Sequence, residues 1–211
     1  MEFIYQHIGE IAGGLSFLAY LKYILSIFQG KTKPSRSTWW ILTFVGILIL
    51  VSSYSIGAKE NIWIQLSYVV GPLIIAILSL FSQYGYSSGL LKIDKVCLLS
   101  GILCIILWIV FNSPLIAFIG SIIVDFIGLI PTIKKAYFNP NKEDPVAWGI
   151  EMVAIIINAL GISVWFSAVE KDWIYALYLI IINGIVFILL LMPFRNKNKE
   201  SRLNAVNFIF G

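Results

Sequence analysis

Seven long apolar runs, almost free of charge, leave this chain few ways to fold: Ile11 to Phe28, Thr38 to Tyr54, Trp63 to Phe81, Val96 to Phe111, Pro114 to Ile133, Val146 to Val169 and Trp173 to Phe194. A hydrocarbon core about 30 Å thick is crossed by about 20 helical residues. Inside it every backbone N–H and C=O needs an internal partner, so a span is either a helix or a strand of a closed barrel. Barrel strands alternate polar and apolar residues, whereas these runs are continuous. The pattern predicts an all-α integral membrane protein with seven transmembrane helices. Composition points the same way, because 59% apolar and 12% charged residues leave too little charged surface for a soluble domain. Met1 to Gln6 carries Glu2 and no Lys or Arg, the wrong start for a cleavable signal peptide, so the first helix is expected to stay.

Orientation follows from basic residues in short loops. Lys31, Lys33, Arg36, Lys92, Lys95, Lys134, Lys135, Lys142, Arg195, Lys197, Lys199 and Arg202 fall on one side, against Lys59 and Lys171 on the other. This predicts an N-out/C-in topology in the cell (inner) membrane. The net charge of +4 comes from these loops and reads as contact with the lipid bilayer, not nucleic acid.

The chain also repeats itself. Trp39 and Trp148, Lys22 and Pro131, and Gly30 and Asn139 each lie 109 residues apart, and Asn61-Ile62-Trp63-Ile64 with Tyr68 returns as Lys171-Asp172-Trp173-Ile174 with Tyr178 at a spacing of 110. Three helices are an odd number, so one extra crossing is needed before a second unit of the same orientation can follow. The expected architecture is therefore two parallel three-helix repeats joined by a linker helix (3+1+3): residues 1–90, a linker at 91–112, a second repeat at 113–195 and a cytoplasmic tail at 196–211. The loops after the first helix of each unit match in position and polarity. Asp144 before Pro145 is placed to cap a helix, and Ser35 or Ser37 can do the same in the first half.

A seven-helix chain of this size with parallel 3+1+3 repeats resembles the SWEET/PQ-loop superfamily of sugar uniporters, lysosomal amino-acid exporters and the KDEL-receptor fold. The residues that carry the resemblance are Gly128-Leu129-Ile130-Pro131-Thr132, similar to that family's Pro-Gln near the cytoplasmic end of a repeat's first helix, and Asn183-Gly184 on the last helix. Lys22-Tyr23 and Gly71-Pro72 stand at the matching points of the first half, without the proline and the asparagine. The resemblance implies a membrane transporter of a small polar solute, working by alternating access. The alternative on the same fold is a non-transporting ligand receptor or sorting protein.

Charges inside a span cost a few kcal/mol at the bilayer centre and usually serve a function. Lys22, Asp125 and Glu151 are the three here. Facing first helices would let Lys22 meet Glu151 or extend toward Asp125, and Asp125 can serve as a proton-coupling group. Asn158 and Asn183 are amides at mid-membrane depth, able to bind a ligand or to hold helices together. Trp148, like Trp39 and Trp40, falls in the first turn of a helix, where aromatic belts sit at the headgroups. The expected substrate-binding set is Asp125, Asn158, Asn183, Lys22, Glu151 and Trp148. Pro131, Pro72 and Gly71 are hinge candidates, since an intrahelical proline frees a carbonyl. An acid and a lysine at one cavity suit a polar or zwitterionic solute better than a neutral sugar. Cys97 and Cys104, about 10 Å apart on one helix, are too far apart for a disulfide. His7 is the single histidine, so no metal, cofactor or catalytic site is expected and the chain is not read as an enzyme. Small-molecule substrate, protons and a homo-oligomer are the partners the sequence allows.

Overall fold

The structure, a computed structural model, describes residues 7–34, 36–57, 62–81, 83–84, 99, 102, 106, 110, 113–164 and 170–192. Among them are six α-helices and no strand: α1 (Ile8–Phe28), α2 (Arg36–Ser55), α3 (Ile62–Ser79), α4 (Pro114–Phe138), α5 (Pro145–Val164) and α6 (Glu170–Leu191). Each is long and apolar enough to cross a membrane. The expected run from Val96 to Phe111 lies outside the described residues, apart from Leu99, Ile102, Ile106 and Val110, which are helical and exposed. Cys97, Cys104, Ser35, the Ser37 side chain and the tail at 196–211 also lie outside them.

Hydropathy located the spans but missed where helices stop. The expected fifth run ended at Ile133, where Lys134 and Lys135 begin, yet α4 continues to Phe138. Backbone hydrogen bonding does not depend on the membrane edge. The helix ends only where Asn139 leaves the helical region at φ −136° and Pro140 follows, with the Asn139 N–H on the Lys135 carbonyl. At the end of α1, Gly30 takes φ 69°, a left-handed conformation that glycine adopts without steric penalty. Lys31 N–H then closes on the Ser26 carbonyl at 3.0 Å. The two loops that match in sequence thus differ in backbone. One turns on Gly30, and the other runs from Asn139 into a short 3-10 turn at Pro140–Lys142.

The helices pack in a definite pattern. α1 lies against α3 and α5, α2 against α3 and α4, and α6 against α4 and α5. Close approach is made by small residues, as expected where lipid offers no hydrophobic drive for helices to associate. A Cβ on Gly13 would lie 2.6 Å from the Trp63 Cβ, and one on Gly46 would lie 2.6 Å from the Tyr68 carbonyl oxygen. A core of Val45, Ile49, Ile64, Phe118, Ile155 and Leu179 joins five helices. The outward faces are equally apolar, with Leu18, Leu21 and Leu25 exposed on α1 and Leu177, Ile181 and Ile188 on α6. Lipid is the solvent such faces suit.

Polar side chains bond between and along the helices. Arg36 at the start of α2 donates through Nε to the Ser79 carbonyl at 2.6 Å and through its guanidinium to Leu80, satisfying carbonyls that the end of α3 leaves free. Ser53 on α2 donates to Gln65 on α3 at 2.7 Å. Pro72 and Pro131 each sit inside a helix that continues past them.

Candidate functional site: a carboxyl and aromatic cavity between the helices

All six helices contribute to one cavity. Tyr20 and Tyr23 come from α1, Trp39 from α2, Tyr68 from α3, Asp125 from α4, Trp148 and Glu151 from α5, and Asn183 from α6. Its volume, counted over positions of a water's centre, is about 50 Å³. That is room for roughly three to five waters or a small solute.

Two buried carboxyls, from α4 and α5, line this space. Asp125, 7% exposed, accepts a hydrogen bond from the Tyr178 hydroxyl on α6. Glu151, 6% exposed, accepts from the Ser16 hydroxyl on α1, at 3.0 Å to Oε1 and 2.8 Å to Oε2. Ser16 also lies 2.6 Å from Ser67 on α3, whose single hydroxyl proton goes either to Ser16, completing a chain to Glu151, or to the Ile64 carbonyl at 2.6 Å. A hydroxyl chain therefore ties Glu151 to α1 and α3, while Asp125 is tied to α6. The aromatic wall is held by edge contacts: Tyr20 meets Tyr68 at 5.9 Å and 89°, and Trp39 at 6.4 Å and 77°, and Tyr23 tilts onto Trp39 at 5.1 Å. Such geometries orient rings beyond what area burial alone gives. Gly71 leaves the space that the Tyr20 ring fills.

Lys22 is not in this cavity. Its expected meeting with Glu151 or Asp125 does not occur, because its ammonium pairs with Asp144 in the loop before α5. The reason is height: Lys22 stands toward the C-terminal end of α1, level with the capping position of α5, while Glu151 lies almost two turns further along α5. Asp144 also caps that helix, accepting the Val146 and Ala147 N–H groups on Oδ1 at 2.9 and 3.1 Å. Beside it, fully buried Glu143 accepts from Tyr23 at 2.9 Å and Trp148 Nε1 at 3.4 Å, and it pairs with Lys135 at 2.5 Å. These two loop acids clamp α1 and α4 to the start of α5, and Glu143 holds two residues of the cavity wall, Tyr23 and Trp148.

Asn158 is buried on α5 but does not line the cavity, whereas Asn183 does, with its Nδ2 on the Leu179 carbonyl at 3.0 Å. Trp148 and Trp39 are 9% and 6% exposed, so the headgroup reading fails for both and holds as exposure only for Trp40 at 42%. Hydropathy places a Trp in a first turn without saying which way it faces. His7 and Glu10, 2.9 Å apart at the N-terminal end of α1, are both exposed. Sequence reasoning missed Tyr20, Tyr23, Tyr68, Tyr178, Ser16 and Glu143. A signal existed for some of them: Ser16 lies 109 residues before Asp125, and Tyr68 lies 110 before Tyr178.

Asp144, just outside the span, gives a testable pH dependence. Burial alone would raise its carboxyl, but Lys22, the Ala147 N–H and the Ser26 hydroxyl outweigh that and hold it below the ordinary aspartate range. A depressed folded-state pKa means the clamp's contribution is complete above the unfolded value and is lost as pH falls through the folded one. Asp144→Ala removes the cap and is expected to cost about 1–2 kcal/mol. Lys22, 35% exposed at its side chain, can turn to the headgroups and add little to that loss. Melting of wild type and variant should converge in acid; a gap that persists to the lowest pH would assign the effect elsewhere.

In comparisons with known proteins, no family model, curated protein or solved structure matches the chain.

Proposed function

We propose that this chain is a membrane transporter of a small polar solute, working by alternating access in the cell membrane, with its N-terminus outside and its C-terminus in the cytoplasm. Its two three-helix units, α1–α3 and α4–α6, are parallel repeats of the SWEET/PQ-loop kind joined by a linker crossing at 91–112.

The observation that carries this reading is the central cavity, to which every described helix contributes and which two buried carboxyls face. The packing pattern supports it. Exchanging α1, α2 and α3 for α4, α5 and α6 turns each of the main helix contacts into another of them: α1 with α3 becomes α4 with α6, α2 with α3 becomes α5 with α6, and α1 with α5 becomes α4 with α2. Equivalent tryptophans share environments, Trp39 and Trp148 buried at the cavity, Trp63 and Trp173 at 45% and 37% exposure. Units that each hold the other's first helix can rock about the site between them. Pro72 and Pro131 supply hinges, and the Lys22–Asp144 and Lys135–Glu143 pairs form the cytoplasmic gate that must part for the inward-facing state.

Purified protein in liposomes tests this reading. A solute that stabilises the folded chain should show counterflow across the bilayer. Binding with no counterflow would make the chain a receptor on the same framework.

A further inference from the structure

We infer that the solute is a small organic cation, held by Glu151 and Asp125 as counter-charges within the aromatic wall of the cavity. The inference deepens the transport reading and rests on it for passage of the solute, though not for its binding.

Three observations combine. First, the cavity offers two carboxyls, and among the described residues no Lys or Arg lines it. Lys22, the basic residue the sequence offered for this site, is held by Asp144 at the gate, so among the described residues no cationic side chain is there to receive the anionic end of a zwitterion. Second, each carboxyl's protein partners are hydroxyls, Ser16 for Glu151 and Tyr178 for Asp125. Hydroxyls orient a carboxylate but bring no compensating charge, so within a span the charge is compensated either by a proton or by a bound cation. Third, five aromatic side chains, Tyr20, Tyr23, Tyr68, Trp39 and Trp148, line the cavity beside small and aliphatic residues. Ring faces attract cations, most strongly when water is excluded, and cages of such rings are how quaternary ammonium groups are bound. A neutral polar solute could bond to Asn183 and the tyrosine hydroxyls but would leave the two carboxyls without a counter-charge, and an anion would meet two acids.

Choline and its neutral isostere 3,3-dimethyl-1-butanol separate charge from shape. With the full chain in detergent, choline is expected to raise the melting temperature in a saturable way and the isostere to leave it unchanged. Glu151→Gln and Asp125→Asn should each weaken choline binding about tenfold or more, the scale of a lost charge-assisted contact. Equal stabilisation by both compounds, or by neither, overturns the cation site, and this comparison needs only the wild-type chain. Choline binding unaffected in both variants overturns it too. Choline binding without choline flux in liposomes overturns the transport reading and leaves the cation site standing; flux of the isostere with no choline binding does the reverse.

Discussion

Asp125→Asn is expected to reduce solute flux in liposomes to the level of empty vesicles while leaving the protein folded. The substitution keeps the size of the side chain and the acceptor oxygen for Tyr178, so the link from α4 to α6 survives. What it removes is a charge, or a proton site, at a buried position facing the cavity. A charge buried in a span is costly and survives where it is used. The measurements are flux as a function of pH, with melting as the control. Full activity with an unchanged pH profile would reduce Asp125 to a structural partner of Tyr178. Tyr178→Phe is a useful companion, since it leaves the carboxyl in place without its hydroxyl partner.

Two adjacent glycines on α1 should respond in opposite directions. A methyl at Gly13 would overlap the Trp63 Cβ at 2.6 Å and its carbonyl carbon at 2.9 Å, so α1 and α3 must separate. Overpacking of this kind costs about 1–3 kcal/mol. Because Ser16 sits one turn further along the same face and bonds Ser67 on α3, the shift should also loosen the hydroxyl chain to Glu151. At Gly14 a methyl meets nothing within 4 Å, and the residue is exposed. There the better helix propensity of alanine should stabilise by up to about 1 kcal/mol. Melting of Gly13→Ala and Gly14→Ala in detergent checks both signs, and equal shifts would mean that the α1–α3 contact is not as close as described.

Much was legible along the chain because a bilayer imposes a one-dimensional constraint. Long apolar runs must be helices, and six of the expected seven coincide with described helices to within a few residues at most ends. Asp144 with Pro145 announced a capped helix start, since capping depends on neighbours in sequence. Asp125 and Glu151 stood out because a buried charge is rare in a span, and both face the cavity. Rotation and partnership were not legible. Lipid accepts an apolar face as readily as the protein core does, so hydropathy does not tell which side of α5 points inward. That is why Trp39 read as a headgroup residue, Trp148 as both a headgroup residue and a site residue, and Asn158 as a cavity amide. Lys22 read as the partner of an intramembrane acid because charge complementarity alone does not fix depth. Only the packing of α1 against α5 brought its ammonium to Asp144 and left the cavity with two acids and a ring of aromatics. The tyrosines among them were invisible for the same reason: a tyrosine in a greasy helix counts as one more apolar residue until tertiary structure turns it toward a carboxyl.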